Sequence, residues 1–214
     1  MIRHELGKGA YTLYDEHWLG SDQADDLMSC LLREMEWSQR PIFVFGKPLM
    51  QPRLIAWAGE IPYKYSGQTL PSAPVPDVLG TLMTRLSELC ETPFNHVLLN
   101  RYRDGRDSMG YHADNEPELG KNPTIAAISL GISRKFALAP KGKKTTRARK
   151  TFSLSHGSLL VMGGTIQHRW RHAVPKMASV QEERINLTFR FLRGPPGWRG
   201  DGQRKRSVAK PSES

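Results

Sequence analysis

His112, Asp114 and His172 are residue types that hold a divalent metal through nitrogen and oxygen. His112 and Asp114 stand two apart, which puts both side chains on one side of an extended strand. Alone the pair is a weak signal. Seven histidines and nine aspartates in 214 residues give roughly 0.3 such His-x-Asp pairs by chance. His172 follows Asp114 by 58 residues, in Trp170-Arg171-His172-Ala173-Val174-Pro175. Two histidines and a carboxylate form the facial triad of non-haem Fe(II) oxygenases, which leaves three positions for co-substrate and O₂. Zinc accepts the same donors, so a second feature has to decide between the metals.

That feature is Arg184-Ile185-Asn186-Leu187-Thr188-Phe189-Arg190. In a strand, Arg184, Asn186, Thr188 and Arg190 share one face and Ile185, Leu187 and Phe189 the other. An amphipathic edge strand with its polar face in water would read the same way. Turned toward a metal, two arginines and two hydrogen-bonding groups suit a small dicarboxylate. 2-Oxoglutarate chelates iron through its 2-oxo group and C1 carboxylate. Its far carboxylate calls for a cation, and arginine supplies a two-pronged fork. Asn100 and Tyr102 also share a strand face and could donate to the same ligand.

These residues need a scaffold. Ala24, Leu27, Met28, Leu31, Leu32 and Met35 recur at helical spacing, so a helix is expected over 22–36, with Ser21 as its cap. A second is expected over 77–90, with Pro76 at its first turn. Between them, runs at 41–48 and 52–57 predict a hairpin around Gly46, and 61–76 is expected as a loop rich in Pro, Ser and Gly. Beyond residue 93, strands are expected at 96–102, 109–113, 124–131, 135–139, 151–154, 158–162, 169–174 and 184–192. Short strands with regular turn signals predict a sandwich or barrel. From Gly194 onward, Pro, Gly and charge predict a basic disordered tail.

Charge points to the partner. The chain carries 31 Lys and Arg against 21 acids, a net charge of +10. The tail from Leu192 holds six bases and two acids, so the body without it keeps +6. A basic body suggests a polyanion, most often nucleic acid. No apolar run reaches membrane-span length and no secretory signal is expected, so membrane partners are excluded from the expectation. Cys30 and Cys90 lack metal-ligand spacing, which fits a reduced cytoplasmic protein, or a nuclear one in a eukaryote.

Taken in order, Leu99-Asn100-Arg101-Tyr102, His112-Ala113-Asp114-Asn115-Glu116, Ser129-Leu130-Gly131, His156-Gly157-Ser158-Leu159, His172 with Pro175, and the closing Arg184-to-Arg190 strand resemble the AlkB family of Fe(II)/2-oxoglutarate-dependent nucleic-acid dealkylases. The resemblance covers about 94–193. It implies an α+β, mainly β fold: a double-stranded β-helix, or jelly roll, with N-terminal helices and a nucleotide-recognition hairpin. Residues 1–75 would form the N-terminal helix and lid of the same domain, 76–193 the dioxygenase core and 194–214 the tail. It assigns Fe(II) to His112, Asp114 and His172, and 2-oxoglutarate to Asn100, Tyr102, Arg184, Asn186, Thr188 and Arg190, with O₂ as the second co-substrate. By the same match Arg184 pairs with the far carboxylate and Arg190 lies nearer the metal.

Val44-Phe45-Gly46-Lys47 with Pro52-Arg53 resembles the finger hairpin of the branch that acts on double-stranded DNA. The match makes Phe45 a duplex wedge, Tyr65 an aromatic that stacks on the extruded base, and Asn115 and Glu116 the lining of the base pocket. Compared with that branch, the segment from Gly59 to Tyr63 is shorter, and only Lys176 follows Pro175 where the branch carries several bases. Arg53, Lys143, Lys144, Arg147 and Arg149 are expected nucleic-acid contacts, the last four in a loop with six bases in ten residues.

The expected activity is oxidative demethylation of N1-methyladenine and N3-methylcytosine in alkylated DNA, by a monomer. Duplex is the expected form, with single-stranded DNA or RNA still open. The rivals are the same chemistry on RNA or protein, a zinc hydrolase, and a basic nucleic-acid-binding domain without catalysis.

Overall fold

In the computed structural model the described residues are 1–44, 47–65, 68–142 and 150–194; for 43, 44 and 65 the description is of the backbone alone. The chain opens with a hairpin that the sequence reading did not anticipate, β1 (Ile2–Gly7) and β2 (Ala10–Asp15). Helix α1 follows over Ser21–Glu34. Ser21 is its first residue rather than its cap: the N-cap is Gly20, with no side-chain cap bond.

The predicted hairpin forms from shorter pieces, β3 (Pro41–Val44) and β4 (Lys47–Met50), and makes a two-stranded sheet of its own. The run at 52–57 does not join it. That run becomes β5 (Leu54–Gly59), which pairs in the main sheet because Ile55, Ala56 and Ala58 gain burial there. The expected loop at 61–76 contains a second small hairpin, β6 (Tyr63–Tyr65) with β7 (Gln68–Leu70). Tyr63 and Leu70 are buried against Ile55, Ile61 and Leu98. Burial of large apolar groups outweighs the loop-like Pro, Ser and Gly around them. Helix α2 spans Asp77–Cys90, as expected, with Pro76 as its N-cap.

The strands that follow match the predicted series to within a residue or two: β8 (His96–Tyr102), β9 (Met109–His112), β10 (Ile125–Gly131), β11 (Arg134–Pro140), β12 (Lys150–Leu154), β13 (Leu159–Gly164), β14 (Trp170–Val174) and β15 (Arg184–Arg190), with a short helix α3 (Ile166–Arg169) before β14. They form two antiparallel sheets. One has the order β1-β2-β13-β10-β15-β8-β5 and the other β12-β11-β14-β9. The architecture is the expected α+β, mainly β jelly roll. Because β1, β2 and β5 sit in the large sheet, the core draws on the first 75 residues as well as on those after 76.

The large sheet carries two cores. On one face Ile185, Leu187 and Phe189 of β15 join Val97, Leu99, Ile128 and Val161 beneath Leu27 and Leu31 of α1 and Leu79 and Leu86 of α2. On the other face Tyr102, Ile125 and Leu160 meet Phe136, Leu138, Phe152 and Val174 of the small sheet. The polar face of β15 therefore points between the sheets rather than into water. Among the described residues no helix is long and apolar enough to cross a membrane.

Candidate metal and dicarboxylate site

His112 ends β9 and His172 lies in β14, and the pairing of those strands sets the two residues directly opposite each other. Their ring centroids are 4.1 Å apart. Asp114, two residues past His112, brings its carboxylate within 3.8 Å of His112 Nε2. One ligand atom from each of the three lies within 4.8 Å of the others. Gly110 O accepts a hydrogen bond of 2.9 Å from His112 Nδ1, which leaves Nε2 as the lone-pair donor. His172 stacks on Phe136 at 5.3 Å. The backbone N–H of Asp114 donates to Gln167 Oε1 at 3.0 Å. Gln167 is fully buried in α3 and holds the aspartate in place from behind.

Electrostatics put this set in its ligating state. Burial alone would raise the Asp114 carboxyl. Arg190, whose Nη2 donates to Asp114 Oδ2 at 3.1 Å, and the two histidines outweigh burial and hold the group at about 2. Burial and the neighbouring His112 push His172 down to about 3, and burial also lowers His112 against the pull of Asp114. Near neutral pH the cluster is one carboxylate and two neutral imidazoles. That donor set suits Fe(II) or Zn(II) and leaves coordination positions open.

The cleft beside the triad is lined by Asn100, Tyr102, Asn186, Thr188 and Arg190, five of the six residues expected at 2-oxoglutarate. The sixth, Arg184, adjoins them, its guanidinium carbon 5.3 Å from the Tyr102 ring. It is 1% exposed and has no carboxylate partner among the described residues. Its Nη2 donates to Ser129 Oγ at 2.9 Å and Asn186 Oδ1 at 3.0 Å, and the Tyr102 hydroxyl also interacts with the guanidinium, while among the described residues Nε and Nη1 are buried with no acceptor in hydrogen-bond geometry. Burial lowers its pKa to about 10. A buried cation with unused donors is costly unless an anion completes it, and a carboxylate is an anion that accepts from such donors. Asn186 Nδ2 in turn donates to Thr188 Oγ1 at 2.7 Å, which frees the threonine proton to donate elsewhere. Gly131 explains part of this packing. It faces Arg184 across β10 and β15 with φ 84°, and a Cβ there would lie 2.3 Å from Glu183 O.

Several neighbours escaped sequence reasoning. Arg134 is 1% exposed, sits 5.5 Å from the Tyr102 ring, and donates to the carbonyls of Asp104, Asp107 and Pro175. Tyr63 is fully buried edge-on to His96 at 5.1 Å, with the Arg190 guanidinium 5.5 Å from its ring. Glu116 lies next to this group. Burial and the Asp114 charge raise its carboxyl. Asn115 is exposed.

Of the expected nucleic-acid residues, Arg53 is 4% exposed and its Nε donates to Asn100 Oδ1 at 2.7 Å. Phe45, Lys143, Lys144, Arg147, Arg149 and the tail from 195 lie outside the described residues, as does the side chain of Tyr65.

His96 yields a prediction. Its ring is buried with neither nitrogen hydrogen-bonded among the described residues, and burial, then Arg190, lowers it to about 3. The unfolded histidine titrates near 6.5, so between those values the unfolded chain binds the extra proton. Stability is then full above about 6.5 and falls as pH drops toward 3, with a slope of up to about 1.4 kcal/mol per pH unit for each such histidine. Denaturant unfolding of the metal-free protein from pH 4 to 7 should show this loss, and His96→Leu should flatten it by about one proton; an unchanged slope would contradict it.

Comparison with known proteins agrees with this geometry. Residues 12–190 match the model of the 2OG-Fe(II) oxygenase superfamily. Rat alpha-ketoglutarate-dependent dioxygenase alkB homolog 3 is 41% identical over 187 residues, covering 82% of this chain and 63% of the relative. The chain thus spans less than two thirds of that relative's length. Mouse DNA oxidative demethylase ALKBH2 is 37% identical over 183 residues, covering 81% of this chain and 77% of the relative. The solved structure of OsALKBH1 superposes with a TM-score of 0.61 at 18% identity, over 88% of this chain and 99% of that one, a likeness of fold.

Proposed function

Because the chain belongs to the AlkB family of 2OG-Fe(II) oxygenases, we propose that it demethylates alkylated bases in DNA oxidatively, as an Fe(II)- and 2-oxoglutarate-dependent dioxygenase. The observation that carries this is Arg184: a buried guanidinium with unused donors, beside the lining of the cleft that also holds the His112, Asp114 and His172 cluster. The names of the rat and mouse relatives, a dioxygenase and a DNA oxidative demethylase, support the same activity.

His112, Asp114 and His172 would hold the iron. Bound iron supplies the oxidation: O₂ takes two electrons from the decarboxylation of 2-oxoglutarate to succinate and CO₂ and two from the substrate C–H bond, which becomes C–OH. Arg184 binds the far carboxylate of 2-oxoglutarate. Asn100, Tyr102, Asn186 and Thr188 orient the molecule, and Arg190 neutralises Asp114 at the metal end. The N-hydroxymethyl product then breaks its C–N bond. The C–N bonding pair returns to the ring nitrogen of the cationic lesion, the hydroxyl proton is released and formaldehyde leaves, with no protein nucleophile required.

N1-methyladenine and N3-methylcytosine are the proposed lesions. Methylation there blocks pairing and makes extrusion of the base cheaper. Asn115, Glu116 and Tyr65 would border the extruded base, and Phe45 would fill the gap in a duplex. The net charge of +10 draws in the phosphate backbone. The two cysteines are free, in keeping with a reducing compartment, the cytoplasm or the nucleus.

Competition among methylated duplex DNA, single-stranded DNA, RNA and a methylated peptide tests the substrate class. The proposal expects DNA to be consumed first. Preferential turnover of the peptide would refute it.

A further inference from the structure

We propose that Arg53 is a positioning residue that fixes the side-chain amide of Asn100, turning its Nδ2 hydrogens into the 2-oxoglutarate cleft. The inference rests on the functional reading above and assigns a role to a residue outside the expected ligand set. Asn100 is 3% exposed, lines the cleft, and lies between Ile55 of β5 and Asn186 of β15 in the strand register. An amide can be turned either way, and only its partners decide which end is which. Here the partner is decisive, because a guanidinium donates and never accepts. Arg53 Nε lies 2.7 Å from Oδ1, so the oxygen must face Arg53. The NH₂ group is then the end left to donate to a carboxylate in the cleft.

Arg53 is itself held from two sides. Its Nη1 donates to Ser108 O at 3.3 Å, and the preceding Pro52 O accepts from Ser108 N at 3.2 Å. Gln51 N donates to Arg40 O, closing the base of the β3–β4 hairpin. Residues 51–53 therefore connect that hairpin to the loop leading into β9 and to Asn100. Without Arg53 the buried Oδ1 loses this donor, and the amide loses the contact that sets its direction.

The test is a double-mutant cycle on 2-oxoglutarate binding to Mn(II)-loaded protein without O₂, read by calorimetry, where no turnover contributes. Asn100→Ala should weaken binding about tenfold, the value of one hydrogen bond to a charged group. Arg53→Met should weaken it severalfold. The double variant should be no weaker than Asn100→Ala within about twofold, because Arg53 acts through Asn100. Arg53→Lys, which keeps the charge, serves the same cycle if the methionine variant does not fold. Factors that multiply in the double variant, or unaltered binding in Arg53→Met, would overturn the inference. So would a fall of about one in the salt slope of DNA binding with 2-oxoglutarate affinity unchanged, the signature of a phosphate contact. Absence of binding by the unaltered protein would overturn the functional reading along with it, whereas a multiplicative cycle in a protein that binds would overturn the Arg53 assignment alone.

Discussion

Asp114→Ala is expected to reduce turnover to below about one-thousandth, a rate factor of roughly 4 kcal/mol or more, and to destabilise the metal-free protein by about 3–5 kcal/mol. The first effect follows from removing the carboxylate from the proposed three-residue metal site. The second comes from Arg190. Both partners of that ion pair are 3% exposed and 3.1 Å apart, so deleting the carboxylate breaks a buried ion pair. His112→Ala separates the two effects. Turnover should fall as far, but His112 is partly exposed and its ring hydrogen bond is to Gly110 O, so stability should change by only about 1 kcal/mol. Rate assays and denaturant unfolding on both variants check this pair of outcomes. Equal stability losses would mean that the Asp114–Arg190 pair does not have the assigned weight, and residual turnover near the parent rate would remove Asp114 from the metal.

Arg184→Met should act in the opposite sense on stability. Affinity for 2-oxoglutarate should fall at least about 100-fold, since two charge-assisted hydrogen bonds of about 1.5–3 kcal/mol each are lost. The metal-free protein should be as stable as the parent or more so, because a buried charge without a carboxylate partner gives way to an apolar group. Arg184→Lys should lose most of the same affinity, as an ammonium cannot form the fork. Calorimetric titration and thermal unfolding measure the two quantities together. A destabilised Arg184→Met protein that still binds 2-oxoglutarate at parent affinity would show that the arginine is structural.

Much of this was legible from residue spacing. The two-residue period of β15 separates Ile185, Leu187 and Phe189 from Arg184, Asn186, Thr188 and Arg190, and the fold buries the two sets on opposite faces of one sheet. The His112–Asp114 spacing places two candidate ligands together, but only the pairing of β9 with β14 brings His172 opposite His112, and no local pattern encodes that. Arg134, Gln167 and His96 have no such signal for the same reason: each is a lone polar residue in an ordinary strand or short helix, and its burial is a product of tertiary packing. The contact of Arg53 with Asn100 has no local signal either, because its neighbours in sequence belong to a hairpin while Asn100 lies 47 residues away. The β1–β2 hairpin was overlooked although Gly7, Lys8 and Gly9 carry its turn at positive φ. The burial of Tyr63 within a Pro- and Gly-rich stretch shows how far a packed core overrides local composition.

The central claim is that the metal cluster and the buried arginine act as one oxidative site on methylated DNA. The most direct measurement is product stoichiometry. Fe(II)-loaded protein, 2-oxoglutarate and an oligonucleotide carrying N1-methyladenine should yield formaldehyde, succinate and unmethylated base in a one-to-one-to-one ratio, and none of them should form without O₂. Demethylation that continues without O₂ or 2-oxoglutarate, or a protein that releases no formaldehyde from any methylated nucleic acid, would contradict it.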